Sequence, residues 1–299
     1  MNKQECGSAG LDGRRSTGRS RPDRLRPALA CIRITGLTAL LAGLAACQSA
    51  SLSETGSLSS YKDFVASDGM VTKTKYRVDS GSTKNVKTVH LIPTTFASNA
   101  DVGKLGDPQK KLVATAIDRS LCEALSAHFD VVPVSKPADM AVRSVVSKVK
   151  ATNAVVAGVS TVTSAVAPVP VPRIPIGLGS LAVEAEAFDA KGKQIAGLTW
   201  ARGANILTNG SRASTAADAF ELAGDFSDDF SALLAKSNDP MKSGFELPSM
   251  KNVSNSVSYA VTGKSTDPDC AIFGRGSGVT GIVGGALGLP PEWTEEKRS

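Results

Sequence analysis

The amino-acid sequence predicts an α+β fold, a largely antiparallel sheet with two helices packed on one face. Three observations predict it. Short runs alternate apolar and polar residues with the period of a strand, and two longer runs place apolar residues at steps of three and four. The runs follow the order strand, helix, strand, strand, hairpin, helix.

Residues 86–93, Val-Lys-Thr-Val-His-Leu-Ile-Pro, are β-branched and partly alternating, which predicts the first strand. Asp107-Pro108 then opens a helix, with the Asp as N-cap and the Pro at the first helical position. Val113, Ile117, Leu121 and Leu125 recur every fourth residue and form one apolar stripe. Residues 129–134 read as a short strand, and 141–149 as a longer one with Val142, Ser144, Val146 and Lys148 on one face. Residues 181–188 alternate as well. Asp189-Ala-Lys-Gly192 is turn chemistry, and 194–204 returns as the partner strand. The second helix runs from a cap region at Ser214 and Thr215 to about Ala235, with Phe220, Ala223, Phe226, Phe230, Leu233 and Leu234 as its apolar face. Asp218 suits the positive end of that helix.

Ahead of this domain, residues 34–47 form an apolar run closed by Leu44-Ala-Ala-Cys47, with basic sequence before it and Ser-rich sequence after it. The run is shorter than the roughly 20 residues a spanning helix needs, and it has the length of a secretory h-region. It resembles the lipobox of bacterial lipoproteins, which implies cleavage between Ala46 and Cys47 and lipidation of Cys47. The 34 Lys and Arg of the chain outnumber the 28 Asp and Glu, but 8 of the basic residues precede Cys47, against 3 acidic ones. From Cys47 onward the balance is 26 to 25, which leaves no basic face for nucleic acid.

The expected organisation is therefore a lipoprotein-type signal peptide (1–46), a lipidated cysteine with a flexible tether (47–60), an α+β domain (61–238) and a Gly-rich C-terminal tail (239–299). On linker scaling the tether reaches about 20 Å. Two cysteines remain in the domain and tail, Cys122 and Cys270. In an oxidising periplasm they are expected to pair and so fasten the tail; the rival reading is two independent thiols. Residues 154–179 are apolar but broken by Pro168, Pro170, Pro172 and Pro175, so they cannot join a sheet interior. They read either as a loop folded over the sheet edge or as an exposed contact surface carrying Val155, Val159, Val171 and Ile176.

Catalytic chemistry is sought and not found. His90 and His128 are the only histidines, and neither lies in a metal-ligand spacing or beside a Gly-x-Ser-x-Gly elbow. Gly276-Ser-Gly-Val-Thr-Gly281 matches a dinucleotide fingerprint in letters, but it lies near the C-terminus and not inside a βαβ unit, and it reads as a flexible or tightly turning tail. Asp225, Asp228 and Asp229 fall beside Phe226 and Phe230, which puts them mainly on a solvated flank. Glu184 and Glu186 share one strand face and are expected to be exposed or paired, with Lys193 or Arg202 across the hairpin as partners. No catalytic residue, cofactor or metal site is assigned.

Several of these stretches together resemble the bacterial lipoproteins grouped as domain of unknown function 3313. They are Gly56-Ser-Leu-Ser-Ser-Tyr61, Val89-His-Leu-Ile-Pro93, Leu121-Cys-Glu-Ala-Leu125 with Phe129-Asp-Val-Val132, residues 181–189 followed by Gly192, and the helix around Asp218. The resemblance brings no assigned activity and no site residues. It implies a small α+β lipoprotein domain of the kind that assists envelope transport or assembly. The expected function is a non-enzymatic adaptor or accessory subunit, anchored by its N-terminal lipid in the outer membrane, facing the periplasm, and bound to another envelope protein. A periplasmic hydrolase or lipid-handling enzyme with an unrecognised site is the alternative.

Overall fold

A computed structural model describes residues 50–153, 178–205, 212–239, 241, 258–259, 261–265 and 267–295. Seven strands form one sheet in the order β1-β2-β7-β6-β5-β3-β4. They are β1 (Val65–Asp68), β2 (Thr72–Val78), β3 (Thr88–Asp101), β4 (Asp130–Val131), β5 (Met140–Lys150), β6 (Ser180–Asp189) and β7 (Gln194–Gly203). After a short α1 (Ser80–Thr83), two long helices, α2 (Asp107–Ser126) and α3 (Ala217–Lys236), supply the second layer. A 3-10 turn (Pro268–Phe273), α4 (Gly278–Ala286) and α5 (Pro291–Thr294) follow.

The predicted α and β elements are present, but the sheet is mixed rather than largely antiparallel. β3 pairs in parallel with both β4 and β5, while β5-β6, β6-β7, β7-β2 and β2-β1 are antiparallel. The reason lies in connectivity: β3 reaches β5 through the crossover helix α2, and a helical crossover returns the next strand in the same direction. β3 is also longer than predicted. Pro93 lacks the N–H a ladder needs, and the register shifts between Ile92 and Thr95, a bulge past which the strand resumes. At that bulge the Thr94 amide donates to Asp118 Oδ1 of α2 at 2.7 Å, so no backbone donor is stranded.

Both predicted stripes form the core. Val113, Ile117, Leu121 and Leu125 of α2 are fully buried, as are Phe226, Phe230 and Leu233 of α3. Trp200 of β7 meets Phe226 edge-on, 5.7 Å between centroids, and Phe226 stacks on Phe230 at 6.0 Å. Gly106, not Asp107, caps α2. Asp218 acts beyond its own helix, accepting from the Gly179 amide at 2.6 Å and the Thr152 hydroxyl at 2.9 Å, which pins the start of α3 to the ends of β5 and β6. Two strands escaped prediction, β1 and β2, because Thr-Lys-Thr-Lys-Tyr-Arg-Val carries too little apolar alternation to mark it.

The described stretches on either side of the α+β domain depart from expectation. Within the stretch expected as a flexible tether, residues 54–60 are fastened to the sheet, as described below. The tail expected to be flexible or tightly turning is helical at Gly278–Ala286, and the Gly276–Gly281 motif leads into that helix, with positive φ at Gly278 (53°). Among the described residues no helix is long and apolar enough to cross a membrane.

Candidate functional site

Two polar constructions stand out, one on each face of the sheet. On the face away from the helices, β6 presents Glu184 and Glu186, both with no solvent exposure. The arm that precedes β1 lies across them. Glu184 accepts from the Thr55 amide (2.9 Å), the Thr55 hydroxyl (2.5 Å), the Ser57 amide (3.3 Å) and the Tyr61 hydroxyl (2.8 Å). Glu186 accepts from the Ser59 amide (2.8 Å) and Gln194 Nε2 (2.8 Å), and it pairs with Arg143 of the adjacent strand β5. Arg143 donates also to the Ser57 carbonyl (2.8 Å), and Gln194 to that of Ser60 (3.1 Å). These carboxylates are therefore buried acceptors for a backbone segment, and neither pairs with Lys193 or Arg202. Lys193 stands by Asp79 (3.6 Å) and Arg202 by Asp225 (3.3 Å). Burial, reinforced by Glu184, pushes the Tyr61 phenol up to about 12.

On the helical face a cleft of about 280 Å³ opens between α2, α3 and the C-terminal segment. Arg119 of α2, Glu221 of α3, Arg212, Tyr259, Ser277 and Glu295 supply its polar wall, with Phe220 and Ile282 beside them. Arg119 forms a buried ion pair with Glu295 (2.5 Å) and donates to the Arg275 carbonyl (2.9 Å). Arg212 pairs with Glu221 (3.2 Å), donates to the Gly281 carbonyl (3.1 Å) and lies over the Phe220 ring. The Ser277 hydroxyl donates to Glu295. Burial raises the Tyr259 phenol. Each arginine is thus matched to a carboxylate, which suits holding a polar segment in place. Neither histidine lines the cleft, and among the described residues no cluster of three His, Cys, Asp or Glu side chains could hold a metal ion.

Cys122 and Cys270 are brought together as a disulfide, with Cα atoms 5.7 Å apart, joining α2 to the 3-10 turn. The acidic trio splits. Asp228 is exposed, but Asp229 accepts from the Trp200 indole (2.7 Å) and Asp225 faces Arg202. Burial pushes the Asp229 carboxyl up to about 6 against the pull of the indole N–H. His90 is half-buried in β3 and His128 is exposed. Ala46 and Cys47, and Val155, Val159, Val171 and Ile176, lie outside the described residues.

What sequence reading missed was the use of Glu184 and Glu186. Two carboxylates on one strand face between core positions are a signal for a buried acceptor, and Thr55–Tyr61, with its amides and hydroxyls, is the matching donor run.

A family model described as a protein of unknown function, DUF3313, matches residues 53–230. That span includes the arm, all seven strands and most of α3, and it stops short of the C-terminal segment. Among curated proteins no match is found. Two solved structures of PelC dodecamers from Paraburkholderia phytofirmans are similar in part, both with a TM-score of 0.31. One is 10% identical and covers 52% of this chain and 95% of its own; the other is 11% identical and covers 57% and 97%. At that TM-score neither their fold nor their assembly is transferred to this chain.

Proposed function

This chain belongs to the DUF3313 family, and from that premise we propose that it is a lipid-anchored lipoprotein of the outer membrane, working without catalysis as an adaptor or accessory subunit for another envelope protein. The observation that carries the reading is the clasp of the arm on Glu184 and Glu186. Only residues 48–54 separate Cys47 from the first amide held by that clasp, that of Thr55. Those few residues, fully extended, reach about 25 Å. A lipidated Cys47 would therefore hold the domain close against the bilayer, with one face of it directed at the periplasm. Gln48, rather than Asp, follows Cys47, and by resemblance to other lipoproteins this favours the outer membrane. Signal cleavage before Cys47 and acylation of its sulfur are the covalent steps the reading requires.

Two measurements on cells test it. Cys47→Ser is expected to leave the protein unprocessed or soluble; normal membrane fractionation through a lipid anchor in that variant would end the lipoprotein reading. Crosslinking in intact cells followed by pull-down is expected to yield one discrete adduct with another envelope protein. A purified chain that turns over an ester or lipid substrate would favour the hydrolase alternative instead.

A further inference from the structure

Most of the exposed large hydrophobic side chains among the described residues stand in the C-terminal segment, and five of them cluster on α4, α5 and the turn between. Val279, Ile282, Val283 and Leu287 are each half exposed or more, and Trp293 is 75% exposed. The helix is amphipathic in the inverted sense. Its buried residues are Gly281 and Gly284. These glycines permit close approach: a Cβ at Gly284 would meet Thr294 Cγ2 at 2.4 Å, and one at neighbouring Gly285 would meet Arg212 Nη2 at 2.6 Å. A helix packing on its own domain ordinarily buries its aliphatic face. Here glycines face the protein and the branched side chains face out, which folding alone does not account for.

Charge and position identify what covers that face. Residues 278–291 contain no charged side chain. The two carboxylates that flank Trp293 both turn inward, Glu292 to the Ser214 hydroxyl (2.6 Å) and Glu295 to Arg119. Among the described residues the outward surface is therefore apolar and free of repulsion toward acidic headgroups. It also lies at one particular end of the sheet. The Gly288 carbonyl accepts from the Ala213 amide and Glu292 from Ser214, while the Thr215 carbonyl accepts from the Thr152 amide just beyond β5. At that same end β6 begins, β7 finishes and β2 starts, through the pairings Leu181 with Arg202 and Thr72 with Arg202. Ala50 lines a hollow there together with Asp68, Lys73 and Thr74. Cys47 is three residues from Ala50, within about 11 Å along the chain.

We propose that the outward face of α4 and α5 docks on a lipid bilayer, with Ile282, Val283 and Leu287 at the acyl boundary and Trp293 at headgroup depth. The choice of a bilayer over a protein rests on the lipid-anchor reading of Cys47, which puts this end of the molecule at the membrane.

The test uses the full lipidated chain in vesicles of phosphatidylethanolamine and phosphatidylglycerol, with or without brominated acyl chains. The protein has two tryptophans, and Trp200 is buried, so bromine reaches only Trp293. Brominated lipid is expected to quench a fraction of the emission. That fraction should vanish in Trp293→Phe and shrink several-fold when Ile282→Asp and Val283→Asp are combined. Flotation with the vesicles reports the anchor separately. Flotation with no quenching overturns the bilayer assignment, leaves the anchor standing and gives the face to a protein partner. Quenching that persists in Cys47→Ser sustains the docking face without the anchor. Neither flotation nor quenching sinks both.

Discussion

The N-terminal arm and the largely helical C-terminal segment are both laid on the finished sheet-and-helix layer, yet they are held by different physics. The arm is bound by carboxylates: Glu184 and Glu186 lie fully buried and take up its amides and hydroxyls, so charged groups and backbone donors satisfy one another. The C-terminal segment is bound by a disulfide, the buried Arg119–Glu295 ion pair and scattered hydrogen bonds to Arg119, Arg212 and Ser214, across an interface that still encloses a cleft of about 280 Å³. The arm belongs to the stretch matched by the family and the segment lies beyond it. A clasp built from strand residues is part of the domain. A covalent staple can hold an addition that buries too little apolar surface to hold itself.

The largest effect that would sharpen this contrast is expected at the staple. The bridge spans 148 residues, and chain entropy puts its contribution at about 5 kcal/mol if the segment unfolds together with the domain. Denaturant unfolding with and without reductant measures this. A much smaller difference, with early hydrogen exchange confined to residues 258–295, would show the segment releasing on its own. Thiol titration of the unreduced, lipidated protein in denaturant should find no reactive thiol from Cys122 or Cys270, and Cys270→Ala should gain one.

At the clasp, Glu184→Ala removes the acceptor of four donors and is expected to cost about 3 kcal/mol, since such charge-assisted bonds are worth roughly 1.5–3 each and do not add. The melting temperature should fall by about 6–12 °C. A fall below about 2 °C would mean the arm is held by apolar burial alone, such as that of Leu58.

The pH dependence offers smaller and opposite tests on the two faces. Asp229 is pushed up to about 6 in the fold, so its neutral form is favoured there. Its contribution to stability is complete below the ordinary carboxylate range and is lost as pH rises through about 6. Asp229→Asn keeps an acceptor for Trp200 and should gain about 1–2 kcal/mol at pH 7, after discounting for partial exposure, with no gain near pH 3. Tyr61, raised to about 12, contributes fully below pH 10 and loses its contribution as pH rises through 12. Tyr61→Phe should cost about 1 kcal/mol at pH 8 and flatten that alkaline decline. Equal acid and alkaline slopes in wild type and variants would detach both groups from stability.

The sequence by itself determined the elements whose signal is local. A stripe such as Val113, Ile117, Leu121, Leu125 can bury itself only as one face of a helix, and 181–188 with its turn and return can only be a hairpin, so both were legible as printed. The pairing of Cys122 with Cys270 was legible as an expectation from redox chemistry, and α2 and the 3-10 turn supplied the geometry. Tertiary structure alone decided the rest. The parallel pairing of β3 with β5 depends on where α2 returns the chain. Strand β2 carries charge along its length, and only its ladders to β1 and β7 make it a strand. Sequence alone makes Glu184 and Glu186 exposed or paired across the hairpin and the arm a flexible tether, because each is polar by itself. They become buried when donors and acceptors more than 120 residues apart in the chain meet, and a desolvated carboxylate is tolerated only once those partners are in place.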